Sequence, residues 1–186
     1  MDENEFDEIL KKSTQAIGHE YFLLERSNGS PIHRERVYCY ELYHQMRKEF
    51  ELMQPGMPCF EYRLNGEVDK GSHFEACVKN KKPDFIVHKP GFNKNYAVIE
   101  VKSVTGLRKD SIKKDCETLH CFLDKLSYER GIFFVFGDKC DGRITKYYDL
   151  IKKYPQIELW CHCKAEKMAI RCDTGTSTLD RNLRGS

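Results

Sequence analysis

The run Gly131-Ile132-Phe133-Phe134-Val135-Phe136-Gly137 restricts the possible folds of this chain more than any other stretch. Five large apolar residues between two glycines are too few for a helix, and they lack the polar alternation of a half-exposed strand. They read as a central strand covered on both faces. Such a strand needs a layer on each side, and the neighbouring segments can supply one. Ile112, Cys116, Leu119, Leu123 and Leu126 form an apolar stripe on a helix expected over about 109–126. A second helix is expected from Ile144 to about Tyr154, where Pro155 stops it, and Ile157-Glu158-Leu159-Trp160-Cys161 reads as a last strand. Alternating helices and strands imply an α/β sandwich with a mixed sheet.

The first half supplies the antiparallel part. Phe85-Ile86-Val87 and Tyr96-Ala97-Val98-Ile99 read as strands joined through His88 to Asn95, a segment holding Pro90-Gly91 and two asparagines that turns the chain back. Phe60-Glu61-Tyr62-Arg63-Leu64 alternates as a half-exposed strand should, and Asn65-Gly66 reads as a hairpin turn after it. Upstream, Cys39, Tyr43, Met46, Phe50 and Met53 give a helix over about 35–53, ended by Pro55-Gly56. A short acidic helix is expected over 1–12. The chain therefore divides into an N-terminal extension (1–34), a core domain (35–172) and a polar, small-residue tail (173–186).

On this frame sit charges with little structural business. Asp84 opens one strand, and after fifteen intervening residues Glu100 and Lys102 close the next. A hairpin brings the start of the first beside the end of the second, and strand alternation puts Glu100 and Lys102 on one face with Val101 turned into the core. Two carboxylates that close together repel, and one pKa rises unless a cation intervenes. A hard divalent ion such as Mg²⁺ takes oxygen ligands of this kind, to which the Val101 carbonyl could add one. Such an ion lowers the pKa of bound water and neutralises charge on a phosphoryl group. A lysine on the same face can orient or deprotonate water, or stabilise charge. The plain alternative is an exposed hairpin with harmless cross-strand pairs.

At Pro83-Asp84 and Glu100-Val101-Lys102 the chain resembles the PD-(D/E)XK nuclease superfamily, the fold of many restriction endonucleases. The resemblance spans roughly residues 35 to 163. It implies a restriction endonuclease-like core in the order α-β-β-β-α-β-α-β, with Asp84 and Glu100 on a Mg²⁺ ion (Mn²⁺ substituting) and Lys102 assisting the nucleophile. It further implies hydrolysis of a phosphodiester, DNA favoured over RNA, that leaves a 5′-phosphate. The first core helix of the superfamily often adds a carboxylate, for which Glu41 is the candidate. Glu67, ahead of Asp69, is a second choice as an outer ligand.

The 31 basic and 29 acidic side chains give a net charge of +2, so no overwhelming field draws the protein to nucleic acid. The distribution is uneven. Acid gathers over residues 2–8, whereas Lys79, Lys81, Lys82, Lys89, Lys94, Arg108, Lys109, Lys113 and Lys114 flank the charged cluster. Lys82, Lys109 and Lys113 are the phosphate-binding candidates. With no DNA-reading module evident, a domain of this size is expected to dimerise, to cut with little specificity or to use a partner protein. The acidic start and the lack of a membrane-spanning apolar run point to a cytoplasmic protein. Its nine cysteines are then small buried hydrophobes. Cys161-His162-Cys163 with Cys172 lacks the paired spacing of a zinc site, and His162 should point away from its neighbours.

Overall fold

The computed structural model describes residues 1–53, 62–67, 81–92 and 94–173. Six strands form one mixed sheet in sequential order: β1 (Arg63–Gly66), β2 (Phe85–Lys89), β3 (Lys94–Ser103), β4 (Tyr128–Phe136), β5 (Ile157–His162) and β6 (Ile170–Cys172). β1, β2 and β3 pair antiparallel, β3, β4 and β5 run parallel, and β6 returns antiparallel on β5. The parallel crossovers pass through helices, α4 (Lys109–Leu126) between β3 and β4, and the short α5 (Cys140–Ile144) and α6 (Tyr148–Ile151) between β4 and β5. The opposite face carries α1 (Glu3–Gln15), the single turn α2 (His19–Phe22) and α3 (Glu35–Met53). The protein is thus α/β, a mixed sheet between helical layers.

Strand alternation divides the core in two. Phe85, Val87, Ala97, Ile99, Val101, Ile132, Phe134, Phe136 and Trp160 face α1 and α3. Ile86, Val98, Phe133, Val135, Leu159 and Cys161 face α4 to α6. β4 is buried on both faces from Arg130 to Phe136, as its composition required. On the α3 side Tyr38 stacks on Phe136 with ring centroids 3.8 Å apart, and its Oη lies 2.7 Å from His162 Nδ1. His162 is fully buried, which pushes its imidazole down to about 4 and keeps it neutral.

Several expectations change. Asn65 and Gly66 do not turn the chain but lie within β1, paired with Ile86 and Phe85. The helix expected from Ile144 is three short pieces, α5, a 3₁₀ turn (Thr145–Tyr147) and α6. β6 has no counterpart in the sequence reading, since three residues are too short to show a period. Residues 1–34 share the core: Phe6, Ile9, Leu10, Ile17 and Phe22 are buried with the sheet residues of the α3 face. The Pro55-Gly56 stop and most of the tail fall outside the described residues. Among the described residues no helix is long and apolar enough to cross a membrane.

Candidate active site

The site arises because β3 outruns its neighbour. β2 begins at Phe85, paired with Ile99, so the last four residues of β3 extend past it. On that side, among the described residues, their backbone N–H groups meet no strand, and carboxylates take the place of one. Asp84 Oδ2 accepts from Val101 N–H at 2.7 Å, and Glu35 Oε2 accepts from Ser103 N–H at 3.1 Å. Glu35 lies in the first turn of α3, and Asp84 immediately precedes β2.

Glu100 and Lys102 project to the other face of β3, toward α4. There Lys102 Nζ lies 3.1 Å from Asp115 Oδ2 on α4 and 3.4 Å from Glu35 Oε1. Among the described residues these are its ion pairs. Four carboxylates, from Glu35, Asp84, Glu100 and Asp115, therefore share a neighbourhood with the Lys102 ammonium, to which the exposed Lys114 adds a second positive charge near Glu100 and Asp115, so negative charge is in excess. Burial pushes Asp84 up to about 6, with Glu35 and Asp115 adding to the rise and the Val101 N–H and Lys102 opposing it. Glu100, 8 % exposed, is held well above the ordinary carboxylate range by burial and then by the charges of Asp84 and Asp115. No hydrogen bond or ion pair satisfies the Glu100 carboxylate among the described residues. Burial alone would lower Lys102, but Asp115 and Glu35 outweigh it and leave the ammonium above its usual value.

The site opens onto a cavity of about 460 Å³ lined by Glu35, Cys39, Tyr40, Tyr43, Asn65 and Asp84, among others. Glu67 is at its edge, paired with Arg36 at 3.2 Å. The sequence placed Asp84, Glu100 and Lys102 together, and the structure brings them together with Val101 as the residue that binds Asp84. Glu41 is not brought there. Its Oε1 accepts from Gln45 one turn along the same helix, at 2.5 Å, and Glu35 is the α3 carboxylate that reaches Lys102. The reason is a rotation of the helix. The buried row of α3 is Tyr38, Leu42, Met46 and Phe50, so Cys39 and Tyr43 flank the core on the cavity side, with Glu35 one turn before Cys39. Asp115 was missed although it carried a signal, a charged residue three after Ile112 and four before Leu119 on an apolar stripe.

Lys109 and Lys113 lie exposed on α4, where Lys113 pairs with Glu117 at 3.7 Å, and Lys82 is exposed beside Pro83. Asp69 and Lys79 lie outside the described residues. The carboxylates, Glu100 and Asp115 buried and Asp84 half-buried, carry excess negative charge that suits a hard divalent ion, with the Cys39 thiol beside them on the cavity wall. Among the described residues no three His, Cys, Asp or Glu side chains form a ready cage. An ion here would rest on Asp84 and Glu100 with water completing its shell, the habit of Mg²⁺. Comparisons with protein-family models, with curated proteins and with solved structures give no match for this chain.

Proposed function

We propose that this chain is a metal-dependent nuclease of PD-(D/E)XK type that hydrolyses phosphodiesters, with DNA the favoured substrate. One observation carries the reading. Asp84, just before β2, and Glu100 and Lys102, both on β3, converge at the sheet end, where burial and neighbouring carboxylate charge raise both carboxyls. The element order α3-β1-β2-β3-α4-β4-α5-α6-β5 supports the reading, being the implied order with its second crossover helix broken into short pieces.

Asp84 and Glu100 would hold Mg²⁺ or Mn²⁺, and the Val101 N–H fixes the Asp84 carboxylate so that its other oxygen is free to turn to the ion. When bound, such an ion supplies Lewis acidity and charge neutralisation at the phosphoryl group. Asp115 and Glu35 hold Lys102 as an ammonium in the metal-free protein, which favours a donor's role over that of proton acceptor. It donates hydrogen bonds, orienting the attacking water or stabilising negative charge on the phosphate. Glu35 and Asp115 position it. The cavity beside Asp84, with Tyr40 and Tyr43 on its wall, has room for part of the polymer next to the scissile bond.

The test is incubation of the pure protein with DNA and with RNA in Mg²⁺ or Mn²⁺, with and without EDTA, beside Asp84→Asn. Cleavage is expected with metal, lost in EDTA and reduced about 100-fold or more in the variant, whose folding is unchanged. Binding without cleavage by the parent would favour a silent nucleic-acid-binding module. Full cleavage by Asp84→Asn, with contaminants excluded, would overturn the assignment.

A further inference from the structure

A second group of reactive side chains lies away from the carboxylates. Cys140, the first residue of α5, is fully buried, and its Sγ stands 3.2 Å from Sγ of Cys163, the residue that follows β5. Cys161, two residues earlier on the same face of β5, also reaches Cys140, and Cys172 of β6 reaches Cys161. Cys163 and Cys172 are partly exposed, while Cys140 and Cys161 are not. His162 between them points to the other face. The sulfurs thus form a row, Cys172 to Cys161 to Cys140 to Cys163, with solvent at its ends.

The contact between Cys140 and Cys163 has chemical consequences. Hydrogen bonds from Cys161 and Cys163 hold the Cys140 thiol below its ordinary range, while donating to Cys140 pushes Cys163 up. One proton shared between two sulfurs leaves a thiolate in the pair, and the thiolate is the form that reacts. Exposure decides which sulfur meets an oxidant first, and that is Cys163. Geometry decides which sulfur resolves the product, and that is Cys140.

We propose that Cys140 and Cys163 are a redox-active pair that closes to a disulfide when the protein meets a peroxide. The shared proton passes from Cys163 to Cys140 across the 3.2 Å contact, and the Cys163 thiolate so formed attacks hydrogen peroxide; the O–O bond breaks, Cys163 sulfenic acid forms, and the released hydroxide takes the proton back from Cys140 and leaves as water. Cys140, as thiolate, then attacks the sulfenic sulfur. The S–O bond breaks, the second hydroxide leaves as water after taking a proton, and the S–S bond forms. Two thiols are oxidised and one peroxide is reduced to two waters. The new bond ties the start of α5 to the end of β5. The chemistry requires neither metal nor nucleic acid, so it stands or falls apart from the nuclease reading.

The test is titration of the full chain with hydrogen peroxide, then alkylation of free thiols and peptide mass spectrometry. The expected result is a linked Cys140–Cys163 peptide pair, a loss of two hydrogens from the intact mass, and full reversal by dithiothreitol. In Cys140→Ser, Cys163 should instead be trapped as sulfenic acid by dimedone. Should the serine variant misfold, differential alkylation of the parent alone decides the matter. Either of two results overturns the proposal: both cysteines remain alkylatable after peroxide, or the link forms between other partners. Stoichiometric zinc or iron in the untreated protein, lost on Cys163→Ser, would also overturn it by making these sulfurs metal ligands.

Discussion

Asp84 is where the energetics of the site can be read most directly. Its carboxyl is pushed from 3.8 up to about 6, first by burial and then by the charges of Glu35 and Asp115. Between those two values the folded, metal-free protein holds a proton that the unfolded chain has released, so its stability falls as pH rises through the window. The contribution is about 3 kcal/mol at most. Glu100 moves in the same direction. On the proposed function, metal binding needs both groups ionised, so Mg²⁺-dependent cleavage should rise as pH increases past about 6. Because metal competes with the proton, the midpoint should move lower as Mg²⁺ is increased. Thermal melting from pH 4 to 8 without metal, beside rates at two Mg²⁺ concentrations, checks both signs. A flat melting profile would show that Asp84 ionises freely. The residues on either side of this one were unequally legible. Asp84, Glu100 and Lys102 could be placed together because strand period and a hairpin determine their neighbours. Glu35 could not, because a one-residue error in the stripe of α3 turns its flank by about 100°. Asp115 could have been found as the one charge on the buried stripe of α4.

At the scale of elements, the end of β3 is built from charges that support one another. Lys102 is the ammonium among Glu35, Asp84, Glu100 and Asp115, and its side chain is 15 % exposed. Lys102→Met keeps the stem and removes the charge. The variant should lose about 2–3 kcal/mol at pH 7.5, because buried carboxylates are left facing one another. The loss should shrink at pH 5, where Asp84 holds its proton, and on the proposed function shrink again with added Mg²⁺. Urea unfolding under the three conditions measures it, and a midpoint equal to that of the parent at pH 7.5 would mean the pairs are solvent-screened and idle. The turn after β4 is equally constrained. Gly137 has φ +122°, and a Cβ there would sit 2.4 Å from Val104 Cγ1, in the turn that follows the end of β3. Gly137→Ala should cost about 2–4 kcal/mol by strain and overlap together, read as a fall in the unfolding midpoint. Such a turn was marked in the sequence only as the glycine ending an apolar run. Its packing against Val104 depends on residues 33 positions apart and left no local trace.

Across the whole molecule, the acidic N-terminal segment acts as part of one layer of the fold. Phe6 meets Phe50 and Tyr96 ring to ring, and Ile9 and Leu10 are buried beside them. The same helix brings Asp7 to Arg130, which grips Glu158 through two nitrogens at 2.7 and 2.6 Å and Asp7 at 2.7 Å. Arg130 is on β4 and Glu158 on β5, so this pairing fastens α1 across the two strands. The local pattern of residues 1–12 showed a helix with an apolar side, but what that side covers is set by a sheet assembled from residues 85–162. Removing residues 1–17 would strip α1 from the sheet, expose Tyr96 and Phe50, and take from Arg130 both the Asp7 carboxylate and the Glu3 carbonyl. Burial of Phe6, Ile9, Leu10 and Ile17 is worth on the order of 6 kcal/mol, comparable with the whole stability of a domain this size. The truncated chain should therefore lose its cooperative thermal transition, bind a hydrophobic dye and aggregate. The nuclease reading adds a sharper expectation, because none of the removed residues touches Asp84, Glu100 or Lys102. Residual cleavage should track the fraction folded across a stabilising-osmolyte titration, with turnover per folded molecule unchanged. A truncated protein that melts like the parent would show instead that the sheet closes its core without α1.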